Sequence, residues 1–553
     1  MEYYDIAKYR IRYVVPFEIN LEHQSFEQMC SQVDNYRDYP YTFLGEVIER
    51  ATGRWIRSSL HKGEQDVYPY IVDEFDYTSE LDDGTKIEKM GCFWRYNLFE
   101  RQPFQLEYTE GTIDKRTERS IPIAVSDMGL YIFRSGVGLL WYEIQAGEHA
   151  FTTSKELIRF QNLVKELNRG YNNHLWIKGA FYHLAEEYQA DRVPFMLGSW
   201  IAERLQFLNV SFWAYRKNSY ASLLSTFYYK DLDKSEQIQK RKAFYDVLPA
   251  LCPDKALLFS YVVFRRDDGW SKNSESLRTA YYLTNGYKES YEMSTDIETA
   301  IKSPFANVYW MAAREGCGYF AWESENNRRF FEKNQYVKIM NDYFLLYIRA
   351  IYQSYSLMRY AVLVSKRLSN DYDLYVSVND ETERLSRQIS DISTEINLFL
   401  VKSVVTSVSY VHHQNEFYEY LIERLRVNED AESVTAGLAA LQGLQHETLL
   451  KKEEEQEMAE QETREREAQR EKEADNMFQI GLGLMTFLAV ISAVTDAYSI
   501  VSGLSDPQVT KGWFVVFMVL FGICMIILVA SITIFIKSIF NLRKKDNHDI
   551  TVD

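Results

Sequence analysis

Five residues near the C-terminus could do chemistry together. Ala489, Ser492, Asp496, Ser499 and Gly503 recur at intervals of three, four and seven, so a helix carries them on one face. Small and hydroxyl side chains suit a narrow water-filled lumen, and a ring of Asp496 carboxylates would favour cations. Gln479 and Thr486 form a second, weaker polar face on the same stretch. Two helices cannot enclose an aqueous path, so such a lumen requires several copies of the chain. The same residues also have a plainer reading. Asp496 would then end a span in the headgroup zone, and the small residues would be helix-packing contacts.

Two basic doublets could bind an anion. Arg265-Arg266 closes the apolar run Ala256–Phe264 and is followed by two aspartates, Gly269 and Trp270. Arg328-Arg329 follows Trp322 and the stretch ESENN. Guanidinium forks match phosphate geometry, and Trp270 or Trp322 could stack on a base. The plainer readings are a solvated hairpin tip for the first doublet and helix-start charges paired with Glu323 and Glu325 for the second. The acidic run Asp73, Glu74, Asp76, Glu80, Asp82 and Asp83 reads as a solvated loop. No phosphate loop, GxGxxG, HExxH or GxSxG occurs, so no catalytic residue is assigned. His412-His413 reads as a packed or exposed pair, and no metal site is assigned.

These residues must be positioned by a chain of two characters. Met477–Val494 is an 18-residue run without a charge, and Trp513–Ile536 is another of 24 residues. A bilayer core takes about 20 apolar residues as a helix. The short stretch Gly503–Gly512 separates the runs, so the expectation is a membrane hairpin. Arg466, Arg470 and Lys472 precede it, and Lys537, Arg543, Lys544 and Lys545 follow. The positive-inside rule puts both termini in the cytoplasm of an inner or plasma membrane. MEYYDIAKYR has no signal-peptide character. The five cysteines lack metal-type spacing and suit a reduced compartment. A formal charge of −17 argues against a direct nucleic-acid partner.

Proline and glycine divide the rest. Nine of ten prolines lie at or before Pro304, and no glycine occurs from Tyr319 to Ala436. The first 320 residues should therefore be α/β or α+β, and the remainder nearly all helix. Ile121–Val125 and Leu130–Phe133, flanking an Asp127-Met128-Gly129 turn, and Leu139–Ile144 read as a meander. Ala256–Phe264 reads as a further strand. Thr153 and Glu156 form a capping-box pattern, with Gly170 placed for the C-terminal cap. Val337, Met340, Phe344, Tyr347, Ile351, Tyr355, Met358 and Val362 mark one helix face, and Leu385, Ile389, Ile392, Ile396 and Phe399 another. Lys451–Asp475 carries ten Glu, one Asp and six Lys or Arg and reads as a solvated helical spacer. A rod from about Ala431 to Val494 would be roughly 96 Å long and could transmit force.

An α/β cytosolic domain, a helical stalk continuous with the first span and a C-terminal two-helix hairpin resemble the CorA family of divalent-cation channels. The resemblance covers roughly Phe330–Phe540. It implies a homo-oligomer, a pentamer, around a pore lined by the first span. The Gly-Met-Asn signature that closes that span is absent; the corresponding stretch is DAYSIVSGL, beginning at Asp496. The enlarged N-terminal part and the missing signature resemble the branch associated with type III CRISPR systems. That likeness implies an antiviral membrane effector opened by a nucleotide second messenger, a conjugate of S-adenosylmethionine and AMP. The alternatives are a divalent metal cation transporter of the Mg²⁺ type, or a membrane-anchored enzyme or binding module. The expected division is a ligand-sensing α/β domain over 1–320 and a helical bundle and charged stalk over 321–475. A first transmembrane helix over 476–504 follows, then a loop over 505–512, a second span over 513–538 and a basic tail over 539–553.

Overall fold

The computed structural model describes residues 3–20, 25–36, 41–43, 46–48, 54–58, 66–75, 90–97, 104–112, 115–146, 150–167, 175–177, 193–194, 197–217, 233–236, 250–265, 274–287, 300–325, 327–404, 407–502, 512–527, 529–530, 532–533 and 537, except 371–380. The chain forms two compact units, Met1–Gln445 and His446–Asp553. The sheet and the helices expected as separate domains on either side of residue 320 share the first unit.

A 13-stranded mixed sheet organises that unit. Its centre is the strand Ile6–Ile19, which pairs antiparallel with Val137–Ala146 on one side and Leu257–Phe264 on the other. Leu257–Phe264 in turn runs parallel to Gly316–Trp322, in register from Leu258↔Gly316 to Phe264↔Trp322. A parallel neighbour needs a crossover, and the chain between these strands includes a helix.

The helices used below are α1 (Phe26–Asn35), α2 (Pro69–Phe75), α3 (Ser154–Lys165), α4 (Leu197–Leu205), α5 (Ser274–Asn285), α6 (Phe344–Asn370), α7 (Glu381–Ser403), α8 (His412–Arg424), α9 (Val427–Ser502) and α10 (Gly512–Ile527). Strand side chains alternate between faces, so each long strand feeds two cores. One face of the sheet packs against α1, α3, α4 and α5. The other packs against α2, α6, α7, α8 and the start of α9. The unit is a three-layer α/β/α arrangement, which bears out the mixed α/β expectation and places helices on both sides of the sheet.

Local signals set several element ends. Thr153 accepts from Glu156 N–H and Glu156 returns to the Thr153 N–H, completing the capping box. That helix ends at Lys165, where Glu166 turns extended and bridges to Lys255; Gly170 lies outside the described residues. The expected turn at Asp127–Gly129 is instead extended chain inside one long strand, Lys115–Phe133, just after a register shift between Val125 and Asp127. Val137–Ala146 pairs with all three residues, and Gly91–Tyr96 joins on the other edge from Gly129 onward, so the strand continues through them.

The helix after the sheet begins irregularly. Two π-helical stretches, Phe330–Gln335 and Ile339–Tyr343, flank a single α turn before α6. Each π stretch widens the helix and shifts its phase. Met340, Phe344, Tyr347 and Ile351 are buried as expected, but Val337, Met358 and Val362 are exposed. In the last turns Leu357, Tyr360 and Val364 are buried instead.

In α9, Val434, Leu438 and Leu441 are buried within the first unit, Leu441 against Ile389. In the second unit the charged stretch Lys451–Asp475 is helical and almost wholly exposed. It carries the expected i,i+4 pairs Glu460–Arg464 and Glu462–Arg466, each 3.3 Å. One 18-residue window within α9 reaches a mean hydropathy of 2.0 with none of it buried, and α10 is a shorter apolar helix. By length and composition α9 is able to cross a membrane.

Candidate functional site

The polar face of α9 follows from helix geometry. At about 100° per residue, Ala489, Ser492, Asp496 and Ser499 fall within an arc of roughly 80°. All four are exposed, as are Gln479 and Thr486, which lie about 80–100° round the axis from Asp496. Gly503 is outside the described residues. Ser499 donates its hydroxyl to Thr495 O at 3.0 Å and Thr486 to Leu482 O at 2.7 Å. Their protons are spent on the helix itself, which leaves oxygen lone pairs on its surface. Asp496 is the one ionisable side chain between Met477 and Ser502 besides Tyr498. Tyr498 meets Phe517 of α10 edge-on at 6.1 Å, so the two apolar helices touch.

The anion-binding expectation fares differently at each residue. Arg265 is exposed, and its N–H bonds Asp5 O. Arg266 and Trp270 lie outside the described residues. Arg329 is exposed, and Arg328 pairs with Glu323 at 3.7 Å, as the plainer reading had it. Trp322 is 1% exposed and packs against the rings of Tyr4, Phe264 and Tyr309. It is a core residue with no face open to a base. The parallel register Phe264↔Trp322 sets the ends of both strands side by side. Arg265 and the turn bearing Arg328 and Arg329 therefore follow the carboxyl ends of two neighbouring strands, where Glu323 N–H bonds Phe264 O. Crevices beyond the carboxyl ends of parallel strands are common ligand sites in α/β folds.

Sequence reasoning missed a buried charged knot. Arg349, 0% exposed, donates from Nε to Glu74 at 2.9 Å and from Nη2 to Ser403 O at 2.8 Å. It also bonds the Tyr418 hydroxyl, which donates to Gln353 at 2.6 Å. Glu74 accepts from Ser403 Oγ at 2.9 Å. Burial works against the Arg349 charge, but Glu74 and Tyr418 outweigh it and raise its pKa. The knot ties α2, α6, α7 and α8 together. Glu74 is therefore no part of a solvated loop, and the later carboxylates of that acidic run lie outside the described residues. The signal was Arg349 itself, a charge inside the apolar string FLLYIRAIY.

Beside the knot, α8 meets α9 with only Leu425 and Arg426 between them. Arg426 adopts φ 59°, the left-handed region that usually takes glycine. A cavity of about 210 Å³ opens at this elbow, lined by Gln353, Val404, Tyr418, Ile422, Arg426 and Val427 among others. His412 is exposed and His413 stacks on Tyr343, so the pair is divided between solvent and packing. Compared with known proteins, the chain matches no family model, no curated protein and no solved structure.

Proposed function

We propose that the chain is one subunit of an oligomeric, CorA-like membrane channel or effector, gated by a ligand bound to its cytosolic unit. The observation that carries this reading is α9: one uninterrupted helix holds buried contacts at Val434, Leu438 and Leu441 and later presents an exposed apolar surface bearing Asp496. Apolar helix surface left entirely in water is unfavourable, and lipid or further copies of the chain would cover it. Asp496 and the hydroxyl face would line a cation path at the shared axis. The α9 and α10 segments would form two spans, with both termini cytoplasmic by the charge of their flanks.

The elbow at Arg426 supports transmission, because a ligand that moved α8 would move the start of α9. The neighbouring strand ends followed by Arg265, Arg328 and Arg329 support an anionic ligand. The family resemblance supplies its class, a nucleotide second messenger such as an S-adenosylmethionine–AMP conjugate acting in antiviral defence. The test is ion release from liposomes holding the full chain, with and without candidate nucleotides, beside its mass in detergent. Ligand-dependent release by a multimer is expected. A monomer, or release indifferent to every nucleotide, overturns the reading.

A further inference from the structure

Asp342 lies in the second π stretch and is 3% exposed. Its carboxylate accepts from Asp66 N–H at 3.5 Å and from Gln414 Nε2 at 3.3 Å, both long. Among the described residues it has no ion pair. Lys338, one turn earlier, pairs with Asp66 instead, at 2.6 Å. Ser409 Oγ links the same groups, bonding Asp66 O and Gln414 Oε1. The cluster thus joins the segment leading into α2, the π turn and α8.

The charged and titratable groups around it come from each of these elements. Asp66 faces Asp342 from the α2 segment. Lys338 and Tyr343 belong to its own helix. His412, His413 and Glu416 come from α8. Arg12, from the central strand, reaches the same turn at Met340 O. A buried carboxylate with long neutral hydrogen bonds and a second carboxylate opposite favours its protonated form. Burial is the largest influence and lifts Asp342 to about 6; the Asp66 charge adds to the lift, while the Asp66 N–H, Gln414 and Lys338 oppose it. His413 moves the other way, lowered first by burial and then by Lys338.

We propose that Asp342 is a proton-binding site, and that uptake of one proton there fastens the Asp66–Phe75 segment to the π turn and α8. The sign follows from the direction of the shift. The folded carboxyl holds its proton to higher pH than the unfolded chain does. The fastening is therefore complete below the ordinary carboxylate range and is lost as pH rises through about 6. This holds whether or not the chain forms a pore, since it rests on contacts within the first unit. If the pore reading also stands, the proton acts on α8, directly before the helix assigned to gating.

Hydrogen exchange of the full chain in detergent tests the site, with rates corrected for the intrinsic pH dependence of exchange. Amides of Asp66–Phe75 should exchange about tenfold more slowly at about pH 5 than at about pH 7.5, with a midpoint near 6. Asp342→Asn should be slow at both values and show no midpoint. Asp66→Asn, which removes the facing charge, should move the midpoint to lower pH. A wild-type midpoint retained in D342N, fast exchange of D342N at both values, or a midpoint abolished by His413→Gln would each overturn the proposal. Liposome release read against pH then tests the gating consequence separately.

Discussion

Replacing Arg349 by methionine should cost the first unit about 3–5 kcal/mol. Methionine fills much of the same volume but leaves Glu74 with Ser403 Oγ, 2.9 Å away, and no cation among its contacts. Glu74 is only 8% exposed, so water cannot replace the guanidinium. Ser403 O and the Tyr418 hydroxyl each lose Arg349 but keep Gln353 as a partner, so the unpaired Glu74 charge carries most of the cost. The charge itself is not what the fold requires. Removing both members, Glu74→Leu with Arg349→Met, should return stability to within about 1 kcal/mol of the natural chain. Urea unfolding of the full chain in detergent measures this. Trp55, Trp94, Trp141, Trp310 and Trp322 are all fully buried in the first unit, so tryptophan emission reports its melting. A loss below about 1 kcal/mol for R349M would refute the argument, and so would a double variant as unstable as R349M alone.

Three further outcomes are expected alongside the proton site. Gly316→Ala should destabilise by about 2 kcal/mol or more in the same urea assay, because a Cβ there overlaps the Thr284 carbonyl, a main-chain atom unable to yield. Arg426→Gly should stabilise by up to about 1 kcal/mol, since glycine occupies the left-handed region freely and the exposed pair with Glu429 contributes little. A lowered urea midpoint would show that the guanidinium holds the elbow. Asp496→Asn should reduce the cation-over-anion preference of reconstituted liposomes several-fold, read as a reversal potential in a salt gradient; an unchanged potential places the carboxylate away from any ion path.

What the sequence disclosed is what neighbours along the chain decide. The Thr153–Glu156 cap, the strand ending at Phe264, the glycine-free helices and the pairs in the charged stretch all depend on residues within a turn or two. Register depends on remote partners. Asp127–Gly129 has the composition of a turn, yet pairing with Val137–Ala146 keeps it extended within one strand, just past a register shift. Trp322 reads as an aromatic beside a basic doublet, but its parallel neighbour and Tyr4 enclose it. Glu74 and Arg349 are separated by 275 positions, and no spacing rule links them. The π stretches displaced the apolar face at Val337, because two widened turns alter a count that assumes a uniform helix. Of the candidate site, the polar arc of α9 was readable, since α9 is regular. The convergence of Arg265 with Arg328 and Arg329 was not, because it is made by strand order.

The strand Ile6–Ile19 has a consequence for synthesis. It is made before both of its long neighbours, Val137–Ala146 and Leu257–Phe264. Until Leu257–Phe264 is made, the edge it will cover stays open, so nascent chains stalled before that point should recruit chaperones or clump.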